Sequence, residues 1–169
     1  MIVIEKRILL ISEWQEWKAL RLEMLQNYPI MFGASYEQEL LRSDDYWKDS
    51  LNIDKNNVIF GAFVDGVLVG SVGFYVEHEE KKKHKGVLWG VYVKPEYRGK
   101  GVANDLMQAM IAHAKTKVIQ VQLSVLIINE LAFDLYRKYG FLIYGTEFRA
   151  LQVDGRFYGE HLMVLNLDE

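Results

Sequence analysis

Two apolar runs, 58–64 and 67–76, meet across Asp65-Gly66, and this junction restricts the fold more than any other stretch of the chain. An Asp-Gly pair readily takes the two positive-φ positions of a two-residue turn, which brings the chain back antiparallel beside itself. The pair recurs at Asp154-Gly155, between apolar runs at about 141–153 and 156–167. Two such hairpins argue against a doubly wound parallel sheet. Between them the pattern changes period. A strand at 86–93 is followed by a helical stretch over 99–116 with Ala103, Leu106, Met107, Met110 and Ala114 on one face. Ile119, Val121, Leu123 and Val125 then alternate with Gln120, Gln122 and Ser124, which reads as a further strand.

The flanks complete the order. A first strand is expected within 2–10. Ser12 is expected to start a helix, with Gln15 as its capping-box partner, inner residues Trp14, Trp17, Leu20, Leu22 and Leu25, and Pro29 as its end. A second helical region over 35–51 breaks at Ser43, a fresh N-cap. Asn129 caps a last helix through Tyr139, and Gly140 suits the left-handed position after it. The predicted fold class is therefore α/β of the α+β kind. It has a mixed, mostly antiparallel sheet of about seven strands flanked by about four helices. At 169 residues the chain is expected to form one domain, 1–169.

Charge and composition narrow the function. A net charge of -3 argues against nucleic acid as the main partner. The basic run EEKKKHK at 79–85 adjoins glutamates between two strands and reads as a solvated loop. With no cysteine, a disulfide, a thiolate-bound metal and a cysteine acyl-enzyme are all excluded. Charges at the amino terminus speak against a signal peptide, and no run is long enough to span a membrane, so the expected location is cytoplasmic. His78 and His84 fit no metal-ligand spacing, His113 is expected on the polar side of its helix, and no metal is expected.

The stretch YRGKGVAND, 97–105, places two glycines and two cations where a strand passes into a helix. Glycines let a ligand approach the backbone, the first amides of a helix lack internal acceptors, and Arg98 and Lys100 add charge. Read alone, RGKG suits either an anion site or an ordinary tight turn. A P-loop, which needs Ser or Thr after its glycine-lysine pair, fits poorly with Val102 following Gly101, and a dinucleotide fingerprint fits poorly with Asn104 in its third glycine position. VYVKPEYRGKGVANDLM nevertheless resembles the central motif of the GNAT superfamily of N-acetyltransferases, Arg/Gln-x-x-Gly-x-Gly/Ala, here Arg98 to Ala103. NELAFDLYRKYGF, 129–141, is similar to that family's Asn-x-x-Ala-x-x-x-Tyr-x-x-x-Gly-Phe helix. The close match runs from about 86 to 141.

The resemblance implies transfer of an acetyl group from acetyl-CoA directly to an amine, with both substrates bound together. It places the pyrophosphate of acetyl-CoA on Arg98, Gly99, Lys100, Gly101, Val102 and Ala103, with Asn104 next in line. The pantetheine arm would pair with the main chain of Val91, Tyr92 and Val93, and Asn129 would contact the arm as well as cap its helix. Tyr136 would protonate the departing thiolate, whereas spacing alone makes it a core tyrosine. The family's strand glutamate has no counterpart in GVLWGVYV; Glu77, Glu147 and Glu160 are the alternatives, and none is assigned as the base. The acceptor site is expected between 26–39 and 147–161, with Tyr28, Phe32, Tyr36 and Tyr158 as an aromatic wall and Glu37 or Glu39 attracting an ammonium group. The acceptor is expected to be a small amine first and a protein amino group second, and the protein a monomer or homodimer. A CoA-binding or sensory domain without turnover is the alternative.

Overall fold

In the computed structural model, which describes residues 1–53 and 56–169, seven strands form one sheet in the order β1-β2-β3-β4-β5-β7-β6. The two Asp-Gly hairpins build most of it. β2 (Asn57–Val64) and β3 (Val67–Val76) turn at Asp65 and Gly66, with φ of 48° and 77°. β6 (Leu142–Val153) and β7 (Arg156–Asn166) turn at Asp154 and Gly155, with φ of 49° and 77°. β1 (Glu5–Ile8) pairs antiparallel with β2, and β4 (Lys85–Val93) antiparallel with β3. The parallel join is that of β4 with β5 (Gln120–Leu126).

Among the described residues, five α-helices cover the sheet. α1 (Trp14–Asn27), α2 (Tyr36–Leu40) and α3 (Asp44–Ser50) precede β2; α4 (Val102–Ala114) and α5 (Glu130–Lys138) flank β5. Ser43 caps α3 as expected, its side chain accepting from the Tyr46 amide, and Ser35 caps α2 in the same way, accepting from the Gln38 amide. Ser12 does not cap α1. A short 3-10 turn, 11–13, comes first, and the Glu13 carboxylate reaches back to the Leu10 amide at 2.7 Å while gripping Arg7. Leu22 and Trp14 are only partly covered, and Met24 takes a fully buried place instead. α4 starts at Val102 rather than Gly99, because both Gly99 and Gly101 hold positive φ, outside helical geometry.

The sheet separates two apolar cores. Leu106, Met107 and Met110 of α4 pack on Phe60, Val72, Val121 and Met163 on one face. Trp17, Leu20 and Met24 of α1 pack with Trp47 on Ile59, Leu68 and Tyr92 on the other. Each such side chain contributes about 1.5–3 kcal/mol on burial. His113, expected on a polar face, lies with its ring 5.6 Å from that of Phe60 and 5.8 Å from that of Phe74. Among the described residues no helix is long and apolar enough to cross a membrane. The 79–85 segment is a surface turn whose Lys82 and Lys83 pair with Glu79 and Glu80.

Candidate functional site

Two irregularities in β4 open the sheet. Its pairing with β5 covers Lys85, Gly86 and Val87 opposite Gln120, Val121 and Gln122, and beyond that the parallel strands part. Toward β3 the register slips: Tyr92 faces Ser71 while Trp89 faces Gly73, so β4 carries an extra residue there. Gly90, with φ of 63°, takes the turn of this bulge. Side chains change phase across it. Leu88, Val91 and Val93 face the α4 core, whereas Trp89 and Tyr92 face the α1 core. The backbone of residues 88–93 is left with a free edge toward β5.

A cleft of about 580 Å³ begins at this parting. Val91, Tyr92 and Val93 form one wall, and Asn129, Leu131, Ala132 and Leu135 the opposite one. Tyr28, Met31 and Phe32, from the segment after α1, close a third side. The rings of Tyr28 and Phe32 stand 6.0 and 6.4 Å from that of Tyr92, whose hydroxyl donates to Glu23 at 2.8 Å. Burial, with the Glu23 carboxylate beside it, holds the Tyr92 phenol protonated well above its usual range.

The mouth of the cleft is the 98–104 turn. Asn104 ends that turn inside α4, and among the described residues none of the six amides from 99 to 104 donates a hydrogen bond within the chain. They stand at the positive end of the α4 dipole. A Cβ on Gly99 or Gly101 would meet nothing within 4 Å, so the space above the turn is open. Such a bed of donors fits a diphosphate, whose charge-assisted bonds contribute about 1.5–3 kcal/mol each. The two cations behave differently from expectation. Arg98 turns inward, its Nε donating to the Val93 carbonyl at 2.9 Å and its guanidinium 5.0 Å from the Tyr28 ring centre, and its amide donates to Pro95. Lys100 does not line the cleft; its ammonium lies 5.5 Å from the Tyr97 ring centre. The Asn104 side chain is held by Lys138 at 2.7 Å and the Tyr139 hydroxyl at 3.0 Å. Tyr139 thus ties α5 to α4, a contact between elements that spacing could not show.

Asn129 accepts from the Ala132 amide at 3.3 Å, the expected cap, and also lines the cleft. Tyr136 lies one turn beyond Ala132, 6% exposed, with its ring 5.9 Å from that of Phe141. It is not part of the cleft lining. Its hydroxyl makes no hydrogen bond among the described residues. Burial raises its pKa, so it stays protonated at neutral pH.

Two further concavities flank the cleft. One of about 630 Å³ lies between Gln26, Phe32, Tyr36 and Glu37 and the tip of the β6–β7 hairpin at Leu151 and Asp154, bringing together the two stretches expected to hold the acceptor. Phe32 lines both it and the cleft. Tyr158 and Glu39 do not line it; Glu39 is 8% exposed and bonded by the Tyr46 hydroxyl. The other, about 900 Å³, is bounded by Asn57, Tyr75, Glu77, His78 and Trp89. Glu160 faces Glu147 across β6–β7, and burial followed by that like charge raises its pKa.

Comparison with known proteins bears on this geometry. Residues 16–141 match the acetyltransferase (GNAT) family. The chain is 28% identical over 123 residues to the L-amino acid N-acetyltransferase AaaT of Escherichia coli K12, covering 72% of this chain and 75% of that protein. It is 35% identical over 104 residues to the L-methionine sulfoximine/L-methionine sulfone acetyltransferase of Pseudomonas aeruginosa PAO1, covering 59% of this chain and 60% of that one. A GNAT-family acetyltransferase from Streptococcus pneumoniae superposes with a TM-score of 0.87 at 22% identity, over 98% of this chain and 99% of its own. So does yncA of Salmonella typhimurium, an acetyltransferase solved with its cofactor acetyl-CoA, with 0.82 at 16% identity, over 99% and 95%.

Proposed function

Because the chain belongs to the acetyltransferase (GNAT) family and is an acetyl-CoA-dependent N-acetyltransferase, we propose that it acetylates the amino group of a small, amino-acid-like acceptor, with both substrates bound at once. The observation that carries the reading is the run of six unengaged amides at 99–104, set at the mouth of the cleft between the parted strands. Named relatives that act on L-amino acids and L-methionine derivatives support the acceptor class.

The amides of Gly99, Lys100, Gly101, Val102, Ala103 and Asn104 suit the diphosphate of acetyl-CoA. Arg98 shapes the turn from within by holding the Val93 carbonyl. Main-chain groups of Val91, Tyr92 and Val93 suit the amides of the pantetheine arm, with Asn129 on the facing wall. Acetyl-CoA supplies an acetyl group already activated as a thioester. The free β4 edge at the Gly90 bulge offers main-chain donors where negative charge develops on the acetyl oxygen. Tyr136, kept neutral by burial and with an uncommitted hydroxyl, is our candidate proton donor to the departing thiolate. The concavity beyond Phe32 is open to the acceptor. We take the whole chain, 1–169, as the one catalytic domain, acting in the cytoplasm.

The test is thiol release from acetyl-CoA in the presence of amino acids. Steady release with one or more amino acids supports the reading. Tight CoA binding without release across a broad amine panel would instead mark a CoA-binding domain without turnover.

A further inference from the structure

Arg21 sits in the middle of α1, on its sheet-facing side. Its guanidinium carbon is 5.2 Å from the Trp89 ring centre and 5.9 Å from that of Phe32. Its Nη1 is 3.4 Å from where a Cβ on Gly90 would stand. The cation therefore lies against the bulge at which the strands part, on the α1 side of the sheet. Its two aromatic neighbours line the concavities on either side, Phe32 toward the β6–β7 tip and Trp89 toward Asn57 and Tyr75.

The group is poorly satisfied there. A guanidinium presents five N–H donors and stays charged. Among the described residues its single hydrogen bond is from Nη1 to the Met24 sulfur at 3.4 Å, a weak acceptor, and no carboxylate reaches ion-pair distance. Glu39 is the one acid whose charge acts on it, and Glu39 is already engaged by Tyr46 at 3.4 Å and Arg42 at 4.0 Å. Arg7, by contrast, holds both oxygens of Glu13. Burial lowers the Arg21 pKa, the sign of a cation short of compensation. A planar fork with free donors, near two aromatic rings, is matched by a carboxylate, which takes two parallel N–H bonds.

Resting on the amino-acid reading above, we propose that Arg21 is the specificity-determining residue that binds the acceptor's carboxylate and so presents its α-amine at the Gly90 bulge. The acceptors are then free α-amino acids rather than simple amines, amino amides or peptide amino termini. In each of these the carboxylate is absent or neutral, and the guanidinium stays unpaired.

The experiment compares an L-amino acid panel with the matching amino amides, for the wild type, Arg21→Met and Arg21→Lys. CoA affinity measured by calorimetry serves as the fold control. Wild-type kcat/KM is expected to favour the acid over its amide by about 10- to 100-fold, the worth of a charged hydrogen-bond pair. Arg21→Met should bring that ratio toward one, mainly by raising KM for the acid, with CoA affinity kept. Arg21→Lys should fall between, since a point charge recovers attraction without the fork. If Arg21→Met fails the CoA control, the lysine variant alone is read, and a wild-type ratio in it counts against the assignment. An acid-to-amide ratio unchanged in the methionine variant overturns the role of Arg21 while leaving the amino-acid reading intact. A wild type that binds CoA but acetylates no free amino acid overturns that reading and this inference together.

Discussion

Gly101→Glu separates the charge of the diphosphate bed from its shape. Gly101 has φ of 87° and caps α4, so any side chain there adopts a left-handed backbone at roughly 1–2 kcal/mol. Gly101→Ala carries that strain alone, because its Cβ meets nothing within 4 Å. The glutamate adds a carboxylate beside the unengaged amides. At roughly 5 Å, a pair of like charges repels by about 0.8 kcal/mol in water and about 3 kcal/mol at the effective dielectric of a protein surface. Salt screens a water-facing turn, so the lower half of that range applies, an expected ~4- to 25-fold weaker CoA affinity than in Gly101→Ala. Calorimetric titration with CoA reads the difference, which should shrink in high salt. Acetylpantetheine, which lacks the diphosphate, should be used equally well as donor by both variants. Equal CoA affinities in the two folded variants, or an equal loss with acetylpantetheine, would refute the charge argument.

Tyr136→Phe should lower kcat by about 10²–10⁴-fold with little change in CoA affinity or melting temperature, as read by thiol release and calorimetry. Since burial raises the Tyr136 pKa above the ordinary 10.0, its protonated form persists through the assay range. Its stabilising contribution is complete below pH 10.0 and fades only as pH climbs toward the folded value, and pH titration of unfolding free energy in the wild type and Tyr136→Phe checks this. His113 has the opposite sign. Burial against Phe60 and Phe74, then Lys117, lowers its pKa from 6.5, so its contribution is present above pH 6.5 and lost as pH falls through the folded value. His113→Leu should therefore flatten the decline in melting temperature between about pH 6.5 and 5. In Gly73→Ala the new Cβ would collide with the Trp89 indole, so urea unfolding should show a loss of about 1–3 kcal/mol.

Short-range signals carried the fold and half of the site. Each Asp-Gly pair needs only its own φ values to turn a hairpin, and Ser35, Ser43 and Asn129 need only an amide two or three residues on. The two glycines of the 98–104 turn are local in the same sense. What the letters hid was settled by partners distant in sequence. The Glu13 carboxylate is drawn to Arg7 on β1, which moves the start of α1 away from Ser12. Arg98 reads as a surface cation until Val93 and Tyr28 are placed behind it. Glu39 reads as an exposed acid until Tyr46 and Arg42 close over it. The bulge at Gly90 and the parting of β4 from β5 have no local signature. A glycine in a strand marks irregularity, but which edge opens depends on where β5 pairs. Arg21 was hidden for the same reason, as a helix cation whose neighbours, Trp89 and Phe32, come from elsewhere in the chain.

The central claim is that the donors of 99–104 grip the diphosphate of CoA while the β4 edge takes its arm. Amide chemical shifts of isotopically labelled protein during CoA titration test it residue by residue. The amides of Gly99 to Asn104 are expected to show the largest downfield changes, followed by those of Val91 to Val93, and acetylpantetheine to move only the second group. Saturable binding that leaves the 99–104 amides unmoved, with the changes gathered elsewhere on the protein, would contradict it.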